Sequence, residues 1–381
     1  MIPYSTQTIN ADDIKAVVKV LKSNYLTNGP TVQKFEKLIS NNTKSKYALT
    51  FNSATSALHL SCLALGLKKN DYFWTVPNTF VSSATCGLLC GAKVDLVDID
   101  LSSNNISIQS LKDKLYWAKK NKKLPKIIIP VHLAGFPYKQ DEIWELSKEF
   151  NFKIIEDASH AFSAKYKKNI VGNCKWSDIT VFSFHPVKIL TTAEGGAITT
   201  NNEDLFKKLS ILRDNGLVRN KKDFKLKNTK KWYYEHQLLG YNYRMNEMQA
   251  ALGISQLRKI KNFQIKRKKI AKIYSEELSQ SSKIQIPIFK EEFEPSLHLY
   301  VIKVKKNKRD NLLIKLKKRG IYTNVHYLPI HLQPYFKKLG FKKGQYPNSE
   351  KYGSEALSIP IYPNLKNKEQ KKVIKEILRL L

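Results

Sequence analysis

The chain has 381 residues, 42% of them hydrophobic, and a formal net charge of +34 at pH 7, so it has interior enough for one two-domain protein. A charge of that size attracts polyanions, but only 8 of the 66 basic residues are arginine and no zinc-finger or RNP-type motif is evident, which argues against nucleic-acid binding. No apolar run approaches the ~18 residues needed to span a bilayer, the N-terminus lacks a basic and apolar signal sequence, and the four cysteines have no metal-ligand or disulfide spacing, so no membrane partner, no metal and a reducing cytoplasm are expected.

Residues 12–22 carry apolar side chains at helical spacing behind an acidic pair that suits the helix dipole. A loop, 23–30, follows. At Ser53-Ala54-Thr55 small hydroxylated residues open a helix bearing Leu58, Leu60, Leu63, Leu65 and Leu67. Free N–H groups at such a start can seat a phosphate, although N-capping explains the same residues.

Short β-branched runs at 92–98, 126–131 and 152–155 alternate with helices, the pattern of a mostly parallel sheet covered on both faces. The run 152–157 ends in Asp157. Parallel sheets bind ligands at such ends, and a helix N-cap aspartate is the competing reading. A second apolar run, 179–184, leads to Lys188. An ammonium held where water is scarce loses its proton more easily, and the free amine can form a Schiff base with a carbonyl; a solvated surface lysine is the alternative.

Residues 214–242 read as a long irregular excursion, with an unusually lysine-dense stretch at 220–231. Asn246 to about Ser279 reads as one long helix. A strand at 297–304, a helix at 310–318, a strand at 321–326 and a last helix from about Lys368 to Leu380 predict a small α+β domain. The expected division is 1–245 and 246–381.

Phosphate seat, strand-end aspartate and strand-end lysine occur in that order, and the strings around them are specific: N-S-A-T-S-A-L-H (52–59), P-N-T-F-V (77–81), E-D-A-S-H-A (156–161), S-F-H-P-V-K (183–188) and V-H-Y-L-P-I-H-L-Q-P-Y (325–335). Together they resemble the sugar aminotransferases of the DegT/StrS kind, from about residue 2 to the C-terminus. That resemblance implies an α/β chain of fold type I, the aspartate aminotransferase-like class, with pyridoxal 5'-phosphate as cofactor. Lys188 and Asp157 would then be catalytic, and Ala54, Thr55, Phe80, His160, Ser183 and Asn242 would join them in holding the cofactor, Asn242 from a neighbouring subunit of a homodimer with shared active sites.

For the substrate the resemblance points to Tyr4, to Asn24, Tyr25, Leu26 and Thr27, and to His326 and Tyr327. The implied reaction carries an amino group from L-glutamate to C4 of a UDP-linked keto-sugar, with the L-altro sugar on the route to pseudaminic acid as the sharpest match. For the individual residues the competing readings are core packing at Phe80 and Ser183, a satisfied buried histidine at His160, a turn asparagine at Asn242 and surface loop elsewhere.

Overall fold

The computed structural model describes residues 1–227 and 230–381; Asn228 and Thr229, in the lysine-dense stretch, lie outside the described residues. Its centre is a seven-stranded sheet: β1 Tyr47–Phe51, β2 Tyr72–Thr75, β3 Lys93–Leu96, β4 Ile127–Ile128, β5 Lys153–Asp157, β6 Ile179–Ser183 and β7 Gly196–Thr200, in the order β1-β7-β6-β5-β4-β2-β3. The pairs from β3 to β6 run parallel, and β7 and β1 add antiparallel at one edge.

Strand alternation divides this sheet's side chains between two cores. Phe73, Ile127 and Ile155 pack under helices Ala54–Ala64 and Glu203–Arg213, while Trp74, Ile128 and Ile154 pack under Ile108–Lys120 and Gln140–Phe150. Both faces are therefore covered, which is why these short strands read as apolar runs.

The C-terminal part is a second layer: antiparallel β8 Ile284–Gln285, β9 Tyr300–Val304 and β10 Ala356–Ile359, in that order. Helices Ile260–Leu278, Lys306–Lys318 and Asn367–Leu380 bury their apolar stripes with it. Ile2 joins this core and bridges Ile321.

Two expected elements differ. The long helix is broken into Glu247–Arg258 and Ile260–Leu278 at Lys259, whose N–H turns back to Gln256 and Leu257. The Lys259 ammonium is drawn at the break to Asp13 Oδ2, 2.5 Å away. Residues 321–326 form no strand, only isolated bridges from Ile321 to Ile2 and from Asn324 to Ser358. Asn324 pairs with Ser358 on the edge of β10 that β9 leaves free, and it is the segment's one backbone bridge there.

Among the described residues no helix is long and apolar enough to cross a membrane.

Candidate active site

The carboxyl ends of β5 and β6 open into a cavity of about 510 Å³. Ten of the fifteen residues singled out above line it: Tyr4, Ala54, Thr55, Phe80, Asp157, His160, Ser183, Lys188, His326 and Tyr327. A separate cavity of about 320 Å³, between residues 100–109 and Ile288, contains none of them.

Asp157 closes β5 and is 5% exposed. Its Oδ1 accepts the Ser159 N–H at 3.0 Å and its Oδ2 accepts the Ser83 hydroxyl at 2.6 Å. Lys188 stands in the turn after β6, where its N–H bonds the His185 carbonyl at 2.9 Å. Burial in the cavity wall lowers its pKa from 10.5 to about 8, and the charge of Asp157 only partly opposes this.

Helix Ala54–Ala64 begins at the cavity. Ser53 caps it by accepting the Ser56 N–H, and Ala57 N–H bonds the Ser53 carbonyl, so the N–H groups of Ala54 and Thr55 are left for another acceptor. The approach is close. A Cβ on Gly196 would lie 2.5 Å from Ala54 N, so only glycine lets β7 support this turn. Thr55 Oγ1 and Ser82 Oγ share a hydrogen bond of 2.8 Å, and Ser183 adds a half-buried hydroxyl at the end of β6.

Phe80 is 58% exposed at the cavity wall, which removes core packing as its role. His160 is buried, and Nδ1 accepts the Ala134 N–H at 3.2 Å. Its proton therefore sits on Nε2, which meets the Tyr327 hydroxyl at 3.2 Å. Burial, aided by the nearby Lys188 charge, pushes His160 well below the usual histidine range, so it stays neutral. His326 is likewise lowered to about 3 by burial. Its Nε2 faces the Asn324 amide at 3.4 Å and its Nδ1 the Ser358 hydroxyl at 2.8 Å. The peptide between His326 and Tyr327 is cis, and Tyr4 stands 5.3 Å from His326, ring to ring.

The other five residues do not reach the cavity of their own chain. Asn24, Tyr25, Leu26 and Thr27 form an exposed loop, held by the Glu247 N–H on the Leu26 carbonyl at 3.0 Å and followed by a turn in which the Glu247 carboxylate accepts the N–H groups of Gly29, Thr31 and Val32 at 2.7–3.1 Å. Asn242 is exposed and bridges Asp214.

Sequence reasoning missed Ser83, His298, Asn324 and Glu194, of which the last three line the cavity. His298 is buried with its ring 4.4 Å from His160. It fell within an expected strand, whereas β9 begins only at Tyr300.

The arrangement fits a phosphorylated pyridine aldehyde. A lysine of lowered pKa, a fixed carboxylate, an exposed aromatic face and two unpaired N–H groups at a helix start share one cavity, and they answer its aldehyde, ring nitrogen, ring plane and phosphate respectively.

The sequence profile of the DegT/DnrJ/EryC1/StrS aminotransferase family matches residues 7–378. The UDP-4-amino-4,6-dideoxy-N-acetyl-beta-L-altrosamine transaminase of Campylobacter jejuni (serotype O:2) is 36% identical over 100% of this chain and 98% of its own. Helicobacter pylori PseC, an aminotransferase involved in pseudaminic acid biosynthesis, superposes with a TM-score of 0.90 at 30% identity, covering 100% of this chain and 98% of that one. The sugar aminotransferase Spr1654 of Streptococcus pneumoniae, in its PMP form, gives a TM-score of 0.91 at 28% identity, covering 100% and 99%.

Proposed function

We propose that this chain, which belongs to the DegT/DnrJ/EryC1/StrS aminotransferase family, moves an amino group from L-glutamate to C4 of UDP-4-keto-6-deoxy-N-acetyl-L-altrosamine in pseudaminic acid biosynthesis. It is a pyridoxal 5'-phosphate-dependent nucleotide-sugar aminotransferase, and the observation that carries the reading is the meeting of Lys188 and Asp157 in one cavity beside an open helix start. The sugar is taken from the full-length likeness to the Campylobacter jejuni enzyme.

Pyridoxal 5'-phosphate, when bound, supplies an electron sink that stabilises negative charge on a substrate carbon. The chain supplies the rest. With its pKa near 8, Lys188 is unprotonated in roughly a quarter of molecules at pH 7.5, so a neutral ε-amine is ready to hold the cofactor and to carry a proton at Nζ. Asp157 presents a carboxylate whose two oxygens are tied by Ser83 and Ser159, a fixed negative charge that would pair with a protonated ring nitrogen. Ala54 and Thr55 would hold the phosphate through backbone N–H groups, joined by the Ser183 hydroxyl, and Phe80 would cover the ring. His160, kept neutral by burial, adds no competing positive charge beside that ring.

Tyr4, His326 and Tyr327 shape the wall offered to the sugar. The loop Asn24-Tyr25-Leu26-Thr27 and Asn242 are assigned to the cavity of a second copy in a homodimer, which their exposure supports. The same proposal divides the chain into a cofactor-binding part, 1–245, and a linking-helix and C-terminal part, 246–381. It places the enzyme in the cytoplasm, where its four free cysteines suit a reducing medium.

The test is product identity. Purified holoenzyme given L-glutamate and a panel of UDP-linked keto-sugars should aminate the L-altro sugar fastest, by mass spectrometry, and Lys188→Ala should form none of the product. Preference for another nucleotide-linked keto-sugar overturns the substrate assignment. Borohydride label recovered anywhere but Lys188 overturns the chemistry.

A further inference from the structure

Three imidazoles are buried in the cavity wall, and the protein treats them differently. Both ring nitrogens of His160 are engaged, by the Ala134 N–H and the Tyr327 hydroxyl, and both of His326, by the Ser358 hydroxyl and the Asn324 amide. His298 is fully buried and lines the same cavity, yet its Nδ1 has no partner. Buried polar atoms are otherwise paired, so an imidazole left with unused capacity at a cavity wall marks a place that a ligand completes.

The segment that carries His298 is fixed from three directions. The Ser296 N–H bonds the Gly135 carbonyl at 3.0 Å and the Leu299 N–H bonds the Ala134 carbonyl at 3.2 Å, while the Ser296 hydroxyl donates to the His160 carbonyl at 2.6 Å. The two rings are thereby held 4.4 Å apart. No side chain fits at Gly135, where a Cβ would lie 2.8 Å from the His160 carbonyl oxygen. Leu297 is in the left-handed region, with φ 56°, which leucine seldom adopts. From behind, the Arg267 guanidinium donates to the carbonyls of Leu297, His298 and Ile361 at 3.1, 3.3 and 3.0 Å.

The charges around His298 are of one sign. Arg267 is itself fully buried, and burial draws its pKa down to about 10 with no acid to oppose it. Burial, and then the charges of His160, Lys188 and Arg267, push His298 well below the usual histidine range, so its imidazole is neutral and has one N–H to give. The only acids lining the cavity are Asp157 and Glu194. The first is tied by Ser83 and Ser159, and the second is a largely exposed side chain 4.0 Å from His185. The wall that the C-terminal part contributes, His298 and residues 324–327, contains none. An unpaired buried guanidinium behind a neutral N–H donor is costly until an anion arrives beside it.

We propose that His298 binds a carboxylate of the amino donor, with Arg267 as the residue that positions it and sets a fixed positive charge behind it. The proposal rests on the reading of the chain as a glutamate-dependent transaminase, and it assigns the donor an end of the cavity distinct from the helix start that takes the phosphate.

The test measures the two half-reactions apart. Holoenzyme is given L-glutamate, and its aminated form is given the UDP-linked keto-sugar, each followed by the absorption of the cofactor; glutarate, an unreactive dicarboxylate, is titrated into the holoenzyme by calorimetry. His298→Leu should raise the Kd of glutarate and the KM of L-glutamate at least about tenfold, the loss of one hydrogen bond to a charged group, while the sugar KM and the cofactor affinity stay at wild type. His298→Phe, which keeps a ring against His160, carries the same prediction if the leucine variant does not fold, and His298→Gln, which keeps an N–H donor, should recover part of the affinity. Arg267→Met should weaken glutarate several-fold without moving the sugar KM, and Arg267→Lys should restore part of it. Wild-type glutarate binding in His298→Leu and His298→Phe, or an equal loss for glutamate and sugar, overturns the proposal. A wild type that binds glutarate through His298 but is not converted by L-glutamate overturns the transaminase reading instead and leaves the carboxylate subsite standing.

Discussion

The Ser83 hydroxyl reaches across 74 residues of chain to donate to Asp157 Oδ2 at 2.6 Å. Because the Ser83 proton is committed there, its oxygen is free to accept from Thr79 Oγ1, 2.8 Å away. All three side chains are buried. With Oδ1 held by the Ser159 N–H, the carboxylate cannot rotate. The strand end therefore delivers an oriented charge, and the orienting group comes from the segment that also carries Phe80.

Ser83→Ala removes one charge-assisted hydrogen bond, which contributes about 1.5–3 kcal/mol. Cofactor affinity, followed by fluorescence titration, should fall at least about tenfold. The visible spectrum of the loaded enzyme should titrate at a different pH from wild type, a change that mere loosening of the fold does not produce. Wild-type affinity and an unshifted spectrum in Ser83→Ala would show that Ser83 only fills space.

Lys188 carries a pH signature in the cofactor-free protein. Its folded pKa, about 8, lies below the ordinary 10.5, so between those values the unfolded chain binds more protons than the folded one. Stability then rises with pH through that window. Lys188→Met abolishes the contribution. The variant should be more stable than the wild-type apoprotein at pH 7, and its advantage should shrink as pH climbs from about 8 toward 10.5. Urea melts of both proteins at pH 7 and pH 9.5 check this; a constant difference between them would mean that the Lys188 ammonium is fully hydrated.

Much of this site is written in local sequence, because Asp157 and Lys188 each follow an apolar run that a buried parallel strand requires, and the helix opening at Ala54 announces itself by its hydroxyls and leucines. What stayed hidden depends on distant partners. Nothing in Val81-Ser82-Ser83-Ala84 marks Ser83 as the holder of a carboxylate, and His298 sits in an apolar run whose strand starts three residues later than alternation suggests. The break at Lys259 is equally invisible to periodicity. Apolar spacing continues through it, and the visible departure lies in Lys259 reaching Asp13 on a helix more than 200 residues earlier.

Phe80 separates binding from folding. At 58% exposure it contributes little to stability, so Phe80→Ala should change the melting temperature by less than about 2 °C. Aromatic stacking beyond area burial is worth about 0.5–1.5 kcal/mol, so cofactor affinity should fall roughly two- to twelvefold. Equilibrium dialysis and calorimetry on one preparation measure both. A large loss of melting temperature with unchanged affinity would return Phe80 to the core.

Glu247 makes the reverse prediction, a residue outside the cavity lining whose loss disturbs the fold first. It is fully buried, and its carboxylate accepts from Gly29, Thr31 and Val32, closing the turn that starts helix Pro30–Thr43. No Cβ fits at Gly29, since it would stand 2.6 Å from Tyr25 Cβ and 2.8 Å from Glu247 Oε2. Glu247→Ala leaves three backbone donors without an acceptor and should cost roughly 3 kcal/mol of stability. Glu247→Gln keeps a carbonyl acceptor and should recover part of it. Because the turn this carboxylate closes directly follows the loop Asn24-Tyr25-Leu26-Thr27, Glu247→Gln should also raise KM for the nucleotide sugar several-fold while leaving cofactor affinity intact. Cofactor loss without a KM change would detach that loop from the substrate.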